Sequence, residues 1–325
     1  MRKAARRQDR GDGLEPMTMI KTLIRPLCTA SMVVLGVIIA GVFVPATVTG
    51  EKSPSAPARD AVSITTVFDN YAVGPKLATQ WGFAAVVVTP AANILFDTGS
   101  DGRMLLSNMA KLNIRPKDIH KVVLSHVHPD HLGGLEEFLK ANRDVEVYMP
   151  ASFPDSVRQS ITSAGAQYRD ISGALQIDER ISTTGEMGTR PIEQSLIIET
   201  SEGLVVLTGC AHPGIVNVVR RAKEVVPSRP VALVMGGFHL GSASDNELDR
   251  LIQDFRRLGV KKVARSHCSG EHARARLQIE YRENYVAGGV GSVLTFRLKR
   301  QGKCSQSKRP AAPARAKSLS PTAGR

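Results

Sequence analysis

Cysteine is scarce in this chain of 325 residues: there are four, at positions 28, 210, 268 and 304, with no C-x-x-C spacing. That excludes a disulfide-stapled framework and leaves the compartment undecided by cysteine usage. There is no Gly-x-Ser-x-Gly elbow and no phosphate loop ending in Gly-Lys-Ser/Thr, so neither an activated serine nor a P-loop carries the chemistry. No internal repeat of solenoid period occurs. Acidic residues are missing from the last 25 positions, and charge of either sign is missing from residues 26–50.

These gaps organise the chain. Residues 1–25 carry seven Lys/Arg against three Asp/Glu and residues 301–325 carry six and no acid, so ten of the thirteen net positive charges are terminal. A nuclease is expected to line its catalytic groove with cations, because phosphate neutralisation supplies most of its affinity, so no nucleic-acid partner is expected. The uncharged run, with residues 32–44 almost wholly apolar and Lys21 and Arg25 before it, reads as a signal peptide or an N-terminal membrane anchor over residues 1–50. Either way the positive flank places the following domain outside the cytoplasm, periplasmic or secreted, or held at the membrane if the segment is uncleaved. Residues 51–60 read as a Pro/Ser-rich linker and 301–325 as a disordered basic tail, leaving one domain over 61–300 with a hydrophobic content of 42% in the whole chain.

Within 61–300 strand and helix patterns alternate. Strands are expected at 62–68, 83–89, 93–96, 121–124, 145–148, 195–199, 204–208, 231–234 and 262–264, and helices at 103–112, 155–164, 216–225 and 246–258. Leu132, Leu135, Phe138 and Leu139 mark one face of a further helix. Early hairpin-like pairs followed by alternating helices and strands predict a mixed-sheet α/β sandwich.

The chemistry concentrates in SHVHPDHLGG, residues 125–134, where His126, His128, Asp130 and His131 follow a strand and open a helix. Four ligand-type side chains within six residues can serve two metal ions from one loop, and Gly133-Gly134 lets the helix approach its neighbours closely. Imidazole and carboxylate ligands suit Zn²⁺, with Fe and Mn as alternatives.

This segment, with LFDTG at 95–99, resembles the metallo-β-lactamase superfamily. The resemblance implies an αββα sandwich of two mixed β-sheets flanked by helices, with a site for two divalent ions at one edge. TGCAHPG (208–214), GGFHL (236–240) and SHCSG (266–270) are similar to one branch, related to the dihydropterin ribofuranosylaminobenzene-phosphate synthases and to small phosphodiesterase-like metallohydrolases. Carried over, His126 and His128 bind the first metal, and Asp130 and His131 the second. His212 is assigned to the first, as no histidine lies between 132 and 211, its alternative being a helix cap. His267 completes the second, with simple packing as its alternative.

Where relatives have Gly-Asp this chain has Gly209-Cys210, so Cys210 is either a thiolate ligand or a buried small residue. His239 is a proton donor, substrate contact, fourth ligand or structural residue. Asp97 is expected to hold a ligand histidine by its other ring nitrogen, and His120 and His272 to be solvated. The reading is a hydrolase using a metal-activated hydroxide on a small phosphoester or phosphodiester, with Asp130 orienting that hydroxide. Arg265, Arg274 and Arg276 are candidate donors to an anionic group. Acyl substrates (lactone, thioester, β-lactam), a pterin-related synthase or transferase, and a metal-binding protein without turnover are the alternatives.

Overall fold

The computed structural model describes residues 60–298, so the leader, nearly all of the linker and the basic tail lie outside the described residues. Among the described residues no helix is long and apolar enough to cross a membrane.

Among the described residues fourteen strands form two seven-stranded sheets. In the first, β1 (Ala61–Phe68) lies between β14 (Val293–Arg297) and β2 (Ala84–Val88), followed by β3 (Asn93–Phe96), β4 (Lys121–Val123), β5 (Glu146–Pro150) and β6 (Gln167–Ile171). The second runs β13 (Tyr285–Ala287), β12 (Val260–Arg265), β11 (Val231–Gly236), β10 (Leu204–Thr208), β9 (Leu196–Glu199), β8 (Ile181–Thr183), β7 (Leu175–Asp178). Each sheet changes from antiparallel to parallel pairing partway across, at β3/β4 in one and at β10/β11 in the other.

Period-two alternation explains the layering. In β2, Ala85 and Val87 point between the sheets while Ala84 and Val86 point outward to the helices, and in β10 Val205 and Leu207 oppose Leu204 and Val206 in the same way. With both faces covered, the strands read as continuous apolar runs. Helices α1 (Gly102–Lys111), α3 (Leu135–Ala141) and α4 (Asp155–Ser163) cover the first sheet through Leu105, Met109, Phe138 and Ile161. On the second sheet α5 (Ile215–Val225), α6 (Asp245–Leu258) and α7 (Glu271–Tyr281) pack through Val219, Leu251, Phe255 and Leu277. The result is the expected αββα sandwich.

The sequence points to nine of the fourteen strands, without β6, β7, β8, β13 and β14, and the structure differs from it at two helices. The helix expected across 132–139 is two short ones, α2 (Pro129–Leu132) and α3, broken at Gly133-Gly134. A Cβ on Gly134 would lie 2.1 Å from the Thr98 carbonyl oxygen, so the break is where this segment presses on the loop after β3. Strand β6 was missed because four of its five residues are exposed and polar, as an edge strand permits. Helix α7 was missed because it buries only Ala273 and Leu277, leaving no apolar stripe.

Candidate metal centre

The candidate ligands all sit on loops at the carboxyl ends of parallel-paired strands: His126 to His131 after β4, Cys210 and His212 after β10, His239 after β11, His267 after β12. Side chains on these turns converge at a strand-end crevice of the kind where open α/β sheets bind ligands. Strain accompanies the convergence, since Asp97, Ala211, His239 and His267 all have φ between +49 and +57°.

Asp97, fully buried at the end of β3, organises one side. Its Oδ1 accepts from the Ser125 backbone N–H (2.6 Å), and its Oδ2 accepts from Ser125 Oγ (2.7 Å) and from His131 Nδ1 (2.7 Å). Because the Ser125 hydroxyl gives its proton to Asp97, Ser125 Oγ accepts from His126 Nδ1 at 2.8 Å. One carboxylate therefore turns the Nε2 lone pairs of two histidines inward, directly for His131 and through Ser125 for His126. Across the crevice, Asn70 Oδ1 accepts from His267 Nδ1 at 3.1 Å and Asp69 Oδ1 from the His267 backbone N–H at 3.3 Å.

The donors fall into two neighbouring groups. The rings of His126, His128 and His212 form a near-equilateral triangle with centroid separations of 4.8, 4.9 and 4.9 Å. In the second group Asp130 Oδ2 lies 3.0 Å from His267 Nε2 and 3.6 Å from His131 Nε2, and the two Nε2 atoms are 3.2 Å apart. Cys210 Sγ sits between the groups, 3.2 Å from His131 Nε2, and lies within 4.8 Å of the ligand atoms of His126 and His212 in the first and of all three residues in the second. The buried Nε2 atoms of His126 and His212 have no hydrogen-bond partner. Unpaired buried imidazole nitrogens facing one another, with a carboxylate and a thiol alongside, fit divalent cations.

Protonation follows from the packing. Burial first, then the neighbouring His131, His212 and His128, hold His126 far below the ordinary histidine range. His212 is pushed down to about 4 by burial, with His239 and His128 adding. Both are thus neutral and available as ligands. Burial works to raise Asp130, but the hydrogen bond from His267 and the charge of His131 outweigh it and hold the carboxyl below its usual range. Burial works to lower His131, and Asp97 beside it wins, raising it.

Several contributors were not singled out from the sequence. Glu193, fully buried, accepts from the backbone N–H groups of Cys210, Ala211 and His212 at 2.8–2.9 Å and from the Thr208 hydroxyl at 3.0 Å, so it shapes the loop that presents Cys210 and His212. Gln194 Nε2 donates to the Leu124 carbonyl at 2.9 Å and ties the end of β4 to the opposite sheet. Trp81, 58% exposed, lies with its ring 4.8 Å from that of His267. Of these only Trp81, the chain's single tryptophan, carries a signal in sequence; the others are ordinary polar residues until the fold brings them in. His120 is exposed, as expected, although its Nδ1 accepts from the Asn93 N–H, and His272 meets Asp245 at the surface. A cleft of about 410 Å³ opens beside His128, lined by Val127, Ser152, Phe153, Thr189, Arg190, Pro191 and Ile192.

Such a crevice of converging histidines between two mixed sheets defines a metal-dependent hydrolase. The chain belongs to the metallo-beta-lactamase superfamily, whose family model matches residues 82–267. It is similar to the 7,8-dihydropterin-6-methyl-4-(beta-D-ribofuranosyl)-aminobenzene-5'-phosphate synthase of Methanocaldococcus jannaschii, 26% identical over 73% of this chain and 97% of that protein. Among solved structures it resembles Tm1679, a metal-dependent hydrolase of the beta-lactamase superfamily, with a TM-score of 0.60, 26% identity and coverage of 72% of this chain and 98% of that one. The fold is shared with YhfI of Bacillus subtilis at a TM-score of 0.55 and 14% identity, covering 73% and 99%.

Proposed function

We propose that the chain hydrolyses a small phosphoester or phosphodiester with two divalent ions, Zn²⁺ being the metal best matched to the donors. His126, His128 and His212 would hold the first ion and Asp130, His131 and His267 the second. Bound there, the ions would supply Lewis acidity and bring a water's pKa toward ~7. The observation that carries the reading is the pair of unpartnered buried Nε2 atoms on His126 and His212, two rings of the triangle beside the open cleft.

The chain's own groups have separable tasks. Asp97 and Asn70 accept from Nδ1 of His131 and of His267 and so turn Nε2 of each ring toward the centre. Asp130, half-buried and held ionised, can accept a hydrogen bond from an attacking water and orient it. Exposed Arg190, with Ser152 and Thr189, offers donors to an anionic substrate along the cleft. The archaeal relative is named as the synthase of a 5'-phosphate compound, which supports a phosphate-bearing substrate here. The apolar wall of Val127, Phe153, Pro191 and Ile192 favours the second reading, an acyl substrate such as a lactone.

The test is metal analysis of purified protein with parallel assays of an aryl phosphodiester, a lactone and a chromogenic cephalosporin. About two ions per chain at these six ligands and turnover of the phosphodiester alone support the proposal. Fewer than about one tightly bound ion overturns the two-ion centre, and turnover of the lactone alone moves the substrate to the acyl class. We further propose that the domain works outside the cytoplasm, which fractionation of the full chain checks.

A further inference from the structure

Cys268 has no part in the centre described above, and the six ligands proposed for that centre do not include Cys210. Those six are His126, His128 and His212 in one group and Asp130, His131 and His267 in the other, with Cys210 lying against both. On the far side of Cys210 lie Cys268 and His239. Both thiols are buried and free, and one ligand atom from each of the three residues lies within 4.8 Å of the others. The three come from separate loops, after β10, β11 and β12, so no local turn accounts for the meeting.

The approach is close enough to constrain the backbone between them. A Cβ on Gly237 would fall 2.7 Å from Cys268 Sγ and 3.3 Å from the Cys210 Cα, so only glycine lets β11 end in this gap. His239 reaches it from a left-handed backbone position, φ +51°, that a histidine adopts at a cost. The His239 ring also stands 4.4 Å from that of His212, which puts this cluster directly against the first group.

We propose that Cys210, His239 and Cys268 form a third metal position, selective for a thiophilic ion such as Zn²⁺. Two sulfurs and one imidazole make a softer donor set than the histidine and carboxylate groups beside it, and tetrahedral zinc accepts this S₂N combination with one position left over. The position goes beyond the two-ion centre and acts on it mechanically. Cys210 is two residues from His212 and Cys268 adjoins His267, so an ion bound here cross-links the loops that present one ligand to each group. It also assigns His239 to metal binding rather than to proton donation.

Cobalt titration of the full-length protein, purified under reducing conditions, tests this. Co²⁺ bound by thiolate gives a near-ultraviolet charge-transfer absorption that nitrogen and oxygen ligands do not. The expected result is about three ions per chain with strong thiolate absorption, and in Cys268→Ser about two ions and at most half that absorption. His239→Gln is expected to weaken binding of the same ion. Full absorption persisting in His126→Ala would show the third position standing whether or not the two-ion centre fails.

Alkylation mapped by peptide mass gives a readout that does not depend on variant folding: Co²⁺ is expected to protect Cys210 and Cys268 together, with Cys28 and Cys304 as internal controls. The proposal is overturned if wild-type protein shows no thiolate absorption, if Cys268→Ser leaves it unchanged, or if Cys210 and Cys268 are found joined as a disulfide in the metal-loaded protein.

Discussion

Asp97 shows how much of a metal centre lies in side chains that touch no metal. Its carboxylate reaches two histidines, one directly and one through Ser125, and it is fully buried. Asp97→Asn keeps the shape but places an amide where His131 Nδ1–H and the Ser125 hydroxyl both need an acceptor. Metal affinity is expected to fall about 10–100-fold, read by competition with a chromogenic chelator, while the fold persists.

Asp69 offers a pH signature. Burial raises its carboxyl from 3.8 to about 6, against the lowering effect of the His267 and Tyr71 backbone N–H groups. Between those values the folded chain binds more protons than the unfolded one, so this residue makes the metal-free protein lose stability as pH rises from about 4 to about 6. Asp69→Asn is expected to remove that part of the slope, measured as the difference in melting temperature between the two proteins across the interval.

The elements matter for where they end. Every ligand loop leaves the carboxyl end of a strand in the parallel half of its sheet, and the loops fit together only where side chains are missing. A Cβ at Gly209 would stand 2.2 Å from Ser125 Oγ and 3.0 Å from Asp97 Oδ2. Gly209→Ala is therefore expected to displace Ser125, release His126 and lower metal content at the histidine triangle more than it lowers the melting temperature of the metal-free protein. Paired metal analysis and thermal denaturation check this, and an equal effect on both would reduce the change to one of packing. The outer helices are held by their own signals, as in the capping box of Ser244 and Glu247 and the left-handed Gly259 that closes α6.

For the molecule as a unit, the proposed ligands bridge both sheets. His126, His128, Asp130 and His131 come from the first, and His212 and His267 from the second. Ions bound across that junction would stabilise the folded chain by mass action. Removing them with a chelator is expected to lower the melting temperature, and Zn²⁺ in excess to restore it. His126→Ala should respond less than wild type, so an equal response would place the stabilising ion elsewhere.

The αββα architecture was legible because strands such as 93–96 and 204–208 are dense apolar runs with clear ends, recovered residue for residue as β3 and β10. The cluster from His126 to His131 was legible because its ligands are local: a turn of six residues brings them together whatever the rest of the chain does. What lay beyond sequence is what long range decides. Whether His212 meets His126, which polar residues hold the histidines, and that Cys268 comes to face Cys210 all depend on which strand ends become neighbours. Neighbours are chosen by burying both faces of two sheets, an energy spread over dozens of aliphatic side chains and written in no short motif. Sequence thus determined the class of chemistry, through residues close in the chain, and the tertiary structure decided the geometry and the sulfur-lined flank of the site, through residues far apart in it, 136 positions for His131 and His267 and 58 for Cys210 and Cys268.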